Sequence, residues 1–130
     1  MEITLENLQI VQAYLFGEVK FLDLLAVLMG LDIITGVIKA WKNKRLRSRT
    51  AWFGYVRKIG VFGAIIAANI IDIVLQLNGA IAYASVLFYI ANEGLSVLEN
   101  LSEIGVKVPS VIKDKLSVIQ SDEKDKGGGK

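Results

Sequence analysis

Three stretches of the chain are apolar on nearly every side. Residues 21–41 read FLDLLAVLMGLDIITGVIKAW, residues 59–77 read IGVFGAIIAANIIDIVLQL, and residues 80–98 read AIAYASVLFYIANEGLSVL. Apolar side chains fill 15 of 21, 14 of 19 and 14 of 19 of these positions, which suits bilayer-crossing helices of about 20 mostly apolar residues. A soluble surface helix keeps a polar face opposite its apolar stripe. The second and third stretches are apolar nearly all round, and a chain of 130 residues has too little interior to hide three such helices. The pattern predicts an all-α integral membrane protein rather than a soluble three-helix bundle. The last two stretches divide at Asn78-Gly79, which reads as a turn. The longest charge-free run, residues 73–92, crosses that dipeptide, so the competing arrangement has one span there and two in all.

The flanks carry weaker patterns. Leu5, Leu8, Val11 and Leu15 recur at helical spacing within residues 1–20, which predicts an N-terminal helix lying in the membrane interface; the alternative is a frayed leader. Glu2 and Glu6 make that end acidic, unlike a removable signal sequence. In the tail, residues 99–130, a partly amphipathic series (Leu101, Ile104, Val108, Val111, Ile112, Leu116, Ile119) is broken at Pro109. It predicts one or two short helices and a solvated, flexible end from about residue 121.

Composition adds exclusions. With 53% hydrophobic residues, no cysteine and no histidine, the chain is neither disordered nor a disulfide scaffold, and it holds no Cys/His zinc site. No nucleophile–base arrangement or metal set stands out, so neither enzyme activity nor a cofactor is expected.

The net charge of +2 conceals a strong asymmetry. Residues 42–58 carry seven basic side chains and no acid (Lys42, Lys44, Arg45, Arg47, Arg49, Arg57, Lys58), which leaves −5 on the remainder. Basic residues in short loops stay cytoplasmic. The stretch is therefore expected to be a cytoplasmic loop in contact with anionic lipids, with the N-terminus outside and the tail in the cytoplasm. Trp41, Trp52, Phe53 and Tyr55 flank it. Between two spans, aromatic residues fit the membrane–water boundary better than stacking on nucleic acid, so no nucleic-acid partner is expected.

Polar residues inside the spans are costly and carry the candidate chemistry. Asp23 and Lys39 lie near span ends and can reach water. Asp32, Asn69 and Asp72 lie deeper, with Asn69 and Asp72 on one helix face. Asn92 and Glu93 sit toward the cytoplasmic side of the third span. Gly60, Ala64 and Ala68 repeat every four residues, a small-residue face that permits close helix packing, although such residues are common in membrane helices anyway. Gly30, Gly36, Ala91 and Gly94 offer similar openings. Three spans have little interior for so many polar groups. The expectation is therefore a homo-oligomer in which Asp32, Asn69, Asp72, Asn92 and Glu93 form contacts between copies or line a lumen.

Two blocks carry a family resemblance. LDIITGVIKAWKNKRLRSR (residues 31–49) and LFYIANEGLSVLENLSEIGVKVPSVIKDKL (residues 87–116) resemble the phage lysis and toxin-secretion holins, over roughly residues 23–119. Asp32, Thr35, Gly36, Lys39, Asn92, Glu93 and Gly94 match the family's motifs, and the first 20 residues depart from its pattern. The resemblance implies a small membrane protein that accumulates harmlessly in the bacterial cytoplasmic membrane and then oligomerises abruptly. Its lesions release an endolysin, or a toxin, without a required specific contact, and lead to host cell lysis. Two other classes fit the residues alone. One is a small transporter or ion channel using Asp32, Asp72 or Glu93, against which the chain shows no internal repeat. The other is an adaptor that recruits a partner through its basic stretch and tail.

Overall fold

The computed structural model describes residues 4–44 and 49–127. Among them are five helices and no strand: α1 (Leu5–Phe16), α2 (Leu22–Lys42), α3 (Arg49–Leu75), α4 (Ala80–Glu103) and α5 (Ser110–Gly127). Three segments are long and apolar enough to cross a membrane: α2, Phe53–Leu75 of α3, and α4. The chain is an all-helical membrane protein with three candidate spans. The break at Asn78-Gly79 is a tight reversal, with Gln76, Asn78 and Gly79 all at positive φ.

Helix ends follow from local chemistry. Thr4 caps α1, its Oγ1 accepting from the Asn7 N–H at 3.1 Å. Gly17 closes α1 at φ 68, and a Cβ there would lie 2.7 Å from Asn69 Oδ1, so glycine answers both the backbone and the space. Gly79, the cap of α4, has no side chain to offer the first N–H groups of that helix. Asp72 of α3 supplies the acceptors: Oδ1 takes the Ile81 N–H at 2.9 Å and Oδ2 the Ala82 N–H at 2.8 Å. A carboxylate also suits the positive end of the helix dipole.

Some boundaries differ from expectation. The basic stretch is not a single loop: Lys42 ends α2, and α3 begins at Arg49 rather than at 59. Nothing in residues 49–58 breaks a helix, since they contain no proline and their glycine is flanked by aromatic residues. Likewise α4 runs to Glu103 rather than 98, and α5 starts directly after Pro109 and continues past residue 121.

Helix α4 is the hub. α2, α3 and α5 all pack on it, and α1 packs on α3. Phe21 meets Tyr83 at one end (ring centroids 6.2 Å apart), while Lys42 meets Glu103 at the other, so α2 and α4 run parallel, and α3, packed on α4, runs in the opposite sense. Leu22, Leu25, Met29, Ile65 and Val86 form the apolar core, toward the α3–α4 turn. Many large apolar side chains point outward instead, among them Val27, Ile34, Ile59, Ile73 and Val74. A lipid surround suits them, as water does not. α5 seats against α4 where Gly94 leaves room: a Cβ there would lie 2.9 Å from a Leu116 methyl.

The Asp72 cap has a measurable consequence. Asp72→Ala removes both acceptors from the first turn of α4 and is expected to cost about 1–2 kcal/mol locally. Amide hydrogen exchange at Ile81 and Ala82 should accelerate, with a smaller change for Asp72→Asn. Unchanged exchange in Asp72→Ala would refute the capping role.

Candidate functional site

A polar cluster joins all three spans. On α2, Asp32, Thr35, Gly36 and Lys39 occupy one face by their three- and four-residue spacing. On α4, Glu93, Ser96, Asn100 and Glu103 do the same. On α3, Lys58, Val61, Phe62, Ile65, Ala68, Asn69 and Asp72 make up the face turned toward the rest of the protein, all at least partly shielded.

Asp32 is 3% exposed and sits at the centre. Its Oδ1 accepts from Ser96 Oγ at 2.7 Å and from Asn100 Nδ2 at 2.9 Å. Its Oδ2 pairs with Lys58 Nζ, which also donates to Glu93 Oε2 at 2.9 Å. Asn100 Nδ2 further donates to Thr35 Oγ1 at 3.0 Å, and the Thr35 hydroxyl donates to the Leu31 carbonyl at 2.8 Å. Among the described residues, no buried side-chain nitrogen or oxygen is left without a partner. Two carboxylates share one ammonium, and the neutral donors Ser96 and Asn100 disperse the charge of Asp32. Near the basic end, Lys39 pairs with Glu103 at 3.4 Å, and Lys42 Nζ donates to the Glu103 carbonyl at 3.0 Å.

This geometry revises several expectations. Lys58 belongs not to a cytoplasmic loop but to α3, where it is the counter-ion of Asp32 and Glu93. Those carboxylates are satisfied within one chain, without a second copy. Asn69 ties two helices together: its Nδ2 donates to the Leu15 carbonyl at 2.9 Å, at the end of α1. Asp72 is the cap of α4. Asn92 stands apart, exposed on α4. Of the small residues, Ala68 is buried, whereas Gly60 and Ala64 face outward from α3.

The other basic residues scatter. Lys44 and Arg57 are exposed, Arg45 and Arg47 lie outside the described residues, and Arg49 opens α3 with its side chain undescribed. Trp41 and Phe53 are exposed at the basic end, whereas the side chain of Trp52 lies outside the described set.

The sequence reading missed Ser96 and Asn100 as site residues. The signal was present in the matched spacing of Asp32, Thr35 and Lys39 on α2 against Ser96, Asn100 and Glu103 on α4.

The chain is similar to known proteins over most of its length. Residues 10–121 match the model of the bacteriophage holin family. The chain is 64% identical over 126 residues to a "Probable holin" of Bacillus phage phi105, covering 97% of this chain and 93% of that protein. It is 60% identical over 121 residues to protein YqxH of Bacillus subtilis strain 168, covering 93% and 86%. A 14.9 kDa protein of Clostridium perfringens is 34% identical, with 83% of each chain covered. No solved structure matches significantly.

The cluster makes Lys58 the most sensitive position in the spans. Lys58→Met leaves two carboxylates facing each other without a cation, a loss expected to cost about 3–5 kcal/mol. The apparent Tm of the purified protein in detergent should fall sharply. Replacing the whole trio (Asp32→Asn, Lys58→Met, Glu93→Gln) should recover most of the loss. A Tm unchanged by Lys58→Met alone would contradict the pairing.

Proposed function

The chain belongs to the bacteriophage holin family, and from that premise we propose that it assembles with copies of itself in the bacterial cytoplasmic membrane. The assemblies open lesions that release an endolysin or a toxin, and the host cell lyses. The observation that carries this reading is the cluster of Asp32, Lys58 and Glu93, one residue from each span, closed within a single chain.

A protein that accumulates without harm must keep its intramembrane charges from lipid, and the closed cluster does so by pairing them with each other. A lesion needs a wetted polar wall, and the same residues supply one when the spans separate. The protein therefore has two uses for one set of side chains, paired while closed and hydrated when open. Cargo passes through the lesion without a specific contact, and the chain itself takes no catalytic part.

Orientation follows from the basic end. Lys42, Lys44 and Arg57, with Arg45, Arg47 and Arg49 beside them in sequence, hold that end in the cytoplasm and attract anionic lipid headgroups. The N-terminus then lies outside. There α1, which buries no residue, rests its Leu5, Leu8 and Val11 in the outer leaflet.

Induced expression beside a cytoplasmic endolysin tests the reading. Growth should halt abruptly with loss of membrane potential and release of the endolysin into the wall. Sustained expression with an intact membrane and retained endolysin would overturn it. Growth that depends on an added solute, with the membrane intact, would point to a carrier instead.

A further inference from the structure

Among the polar residues of the spans, Asn92 is distinctive. Asp32, Lys58, Asn69, Asp72, Glu93 and Asn100 all have partners within the chain. The Asn92 side chain is exposed and has no hydrogen-bond partner among the described residues. It lies at the midpoint of α4, next to Glu93 of the ion cluster. A carboxamide at this depth faces hydrocarbon, which offers neither donors nor acceptors.

The surroundings of Asn92 form a definite surface. α4 presents Ala82, Val86, Glu93, Val97 and Asn100 to the bundle interior, and Gly94 to α5. Its remaining stripe is Ile81, Ser85, Phe88, Asn92, Leu95 and Glu99. Successive members are four, three, four, three and four residues apart, the spacing of a helix seam that meets another helix along its length. Ile81, Phe88, Asn92 and Glu99 are exposed, and Ser85 and Leu95 are half-buried. Glu99 lies toward the basic end, where water reaches it.

We propose that this α4 stripe, centred on Asn92, is the contact between two copies of the chain. A carboxamide carries a donor and an acceptor, so the same residue on a second copy complements it across a two-fold axis. One asparagine within an apolar seam also fixes register, because a shifted pairing leaves both amides unsatisfied. The outward face of α3 has open space at Gly60, and its polar residue, Arg57, is exposed toward the basic end, where water reaches it. The inference rests on the self-association in the holin reading and supplies its surface.

Disulfide cross-linking tests it in membranes of cells expressing the full chain, which has no cysteine of its own. With Asn92 retained, Phe88→Cys and Leu95→Cys should each give disulfide-linked dimers on mild oxidation, and Ala64→Cys on α3 should give few. Adding Asn92→Ala should lower the dimer fraction about three- to tenfold, while Asn92→Gln should keep most of it. Unaltered helix content in Asn92→Ala shows that the loss is of contact and not of fold. Equal cross-linking from Ala64→Cys, or none of the expected loss in Asn92→Ala, overturns the proposal. Dimers through Phe88→Cys without lysis would preserve this surface and remove the holin reading. Lysis without dimers at either position would remove the surface and leave the reading intact.

Discussion

Hydrocarbon supplies no counter-ions and no hydrogen bonds, so any charge carried into a bilayer must be answered from within the protein. Asp32, Lys58 and Glu93 answer one another, and the rest of the fold is arranged to let them. For the three to meet, each span must take a particular rotation about its axis. That rotation turns Leu22, Leu25, Met29, Ile65 and Val86 inward and leaves many other large apolar side chains to lipid. Apolar packing alone would choose poorly here, because lipid is as good a neighbour for leucine as another leucine is. Polar pairing discriminates where apolar contact does not.

The two ends of the bundle are secured differently. At the α3–α4 turn, Asp72 and Asn69 bond directly to backbone groups of α4 and α1, and Gly17 leaves the room that Asn69 occupies. At the basic end, α2 and α4 are joined by Lys39, Lys42 and Glu103, side chains that reach water. Exposed pairs of that kind contribute roughly 0–1 kcal/mol. The chain is thus tied by buried contacts at its centre and at one end, and only lightly at the other.

Much of the architecture is legible in the sequence. Apolar length gives three spans, Asn78-Gly79 gives the reversal between the second and third, and the spacing of Leu5, Leu8 and Val11 gives α1. The polar residues that matter are legible as residue types, because a carboxylate in an apolar stretch is conspicuous. Their partners are not. Lys58 reads as one of seven cations in a basic run, and only the extension of α3 back to Arg49 shows that it faces inward. Asn69 and Asp72 share a face, as their spacing requires, but what they bond lies on α1 and α4, and no local pattern encodes that meeting. Ser96 and Asn100 are unremarkable until helix α4 aligns them with Asp32. The polar groups imply contacts between copies only if the interior offers them no partners. The bundle satisfies nearly all of them and leaves Asn92.

On the proposed reading, the protein is inert while it accumulates and disruptive when it acts. In that reading, a cluster paired inside one chain, and lining water once the spans part, reconciles the two without any further machinery. Water access to Ser96 reads this directly. Ser96→Cys places a single thiol against Asp32 in a chain that otherwise has none. Its labelling by a small water-soluble thiol reagent can then be followed through expression and lysis. If the cluster stays paired until lesions open, the thiol remains unlabelled during accumulation and reacts at the moment the membrane potential falls. A thiol that labels equally before and after that moment, or that stays protected while the cell lyses, contradicts the opening of this cluster as the lesion-forming step.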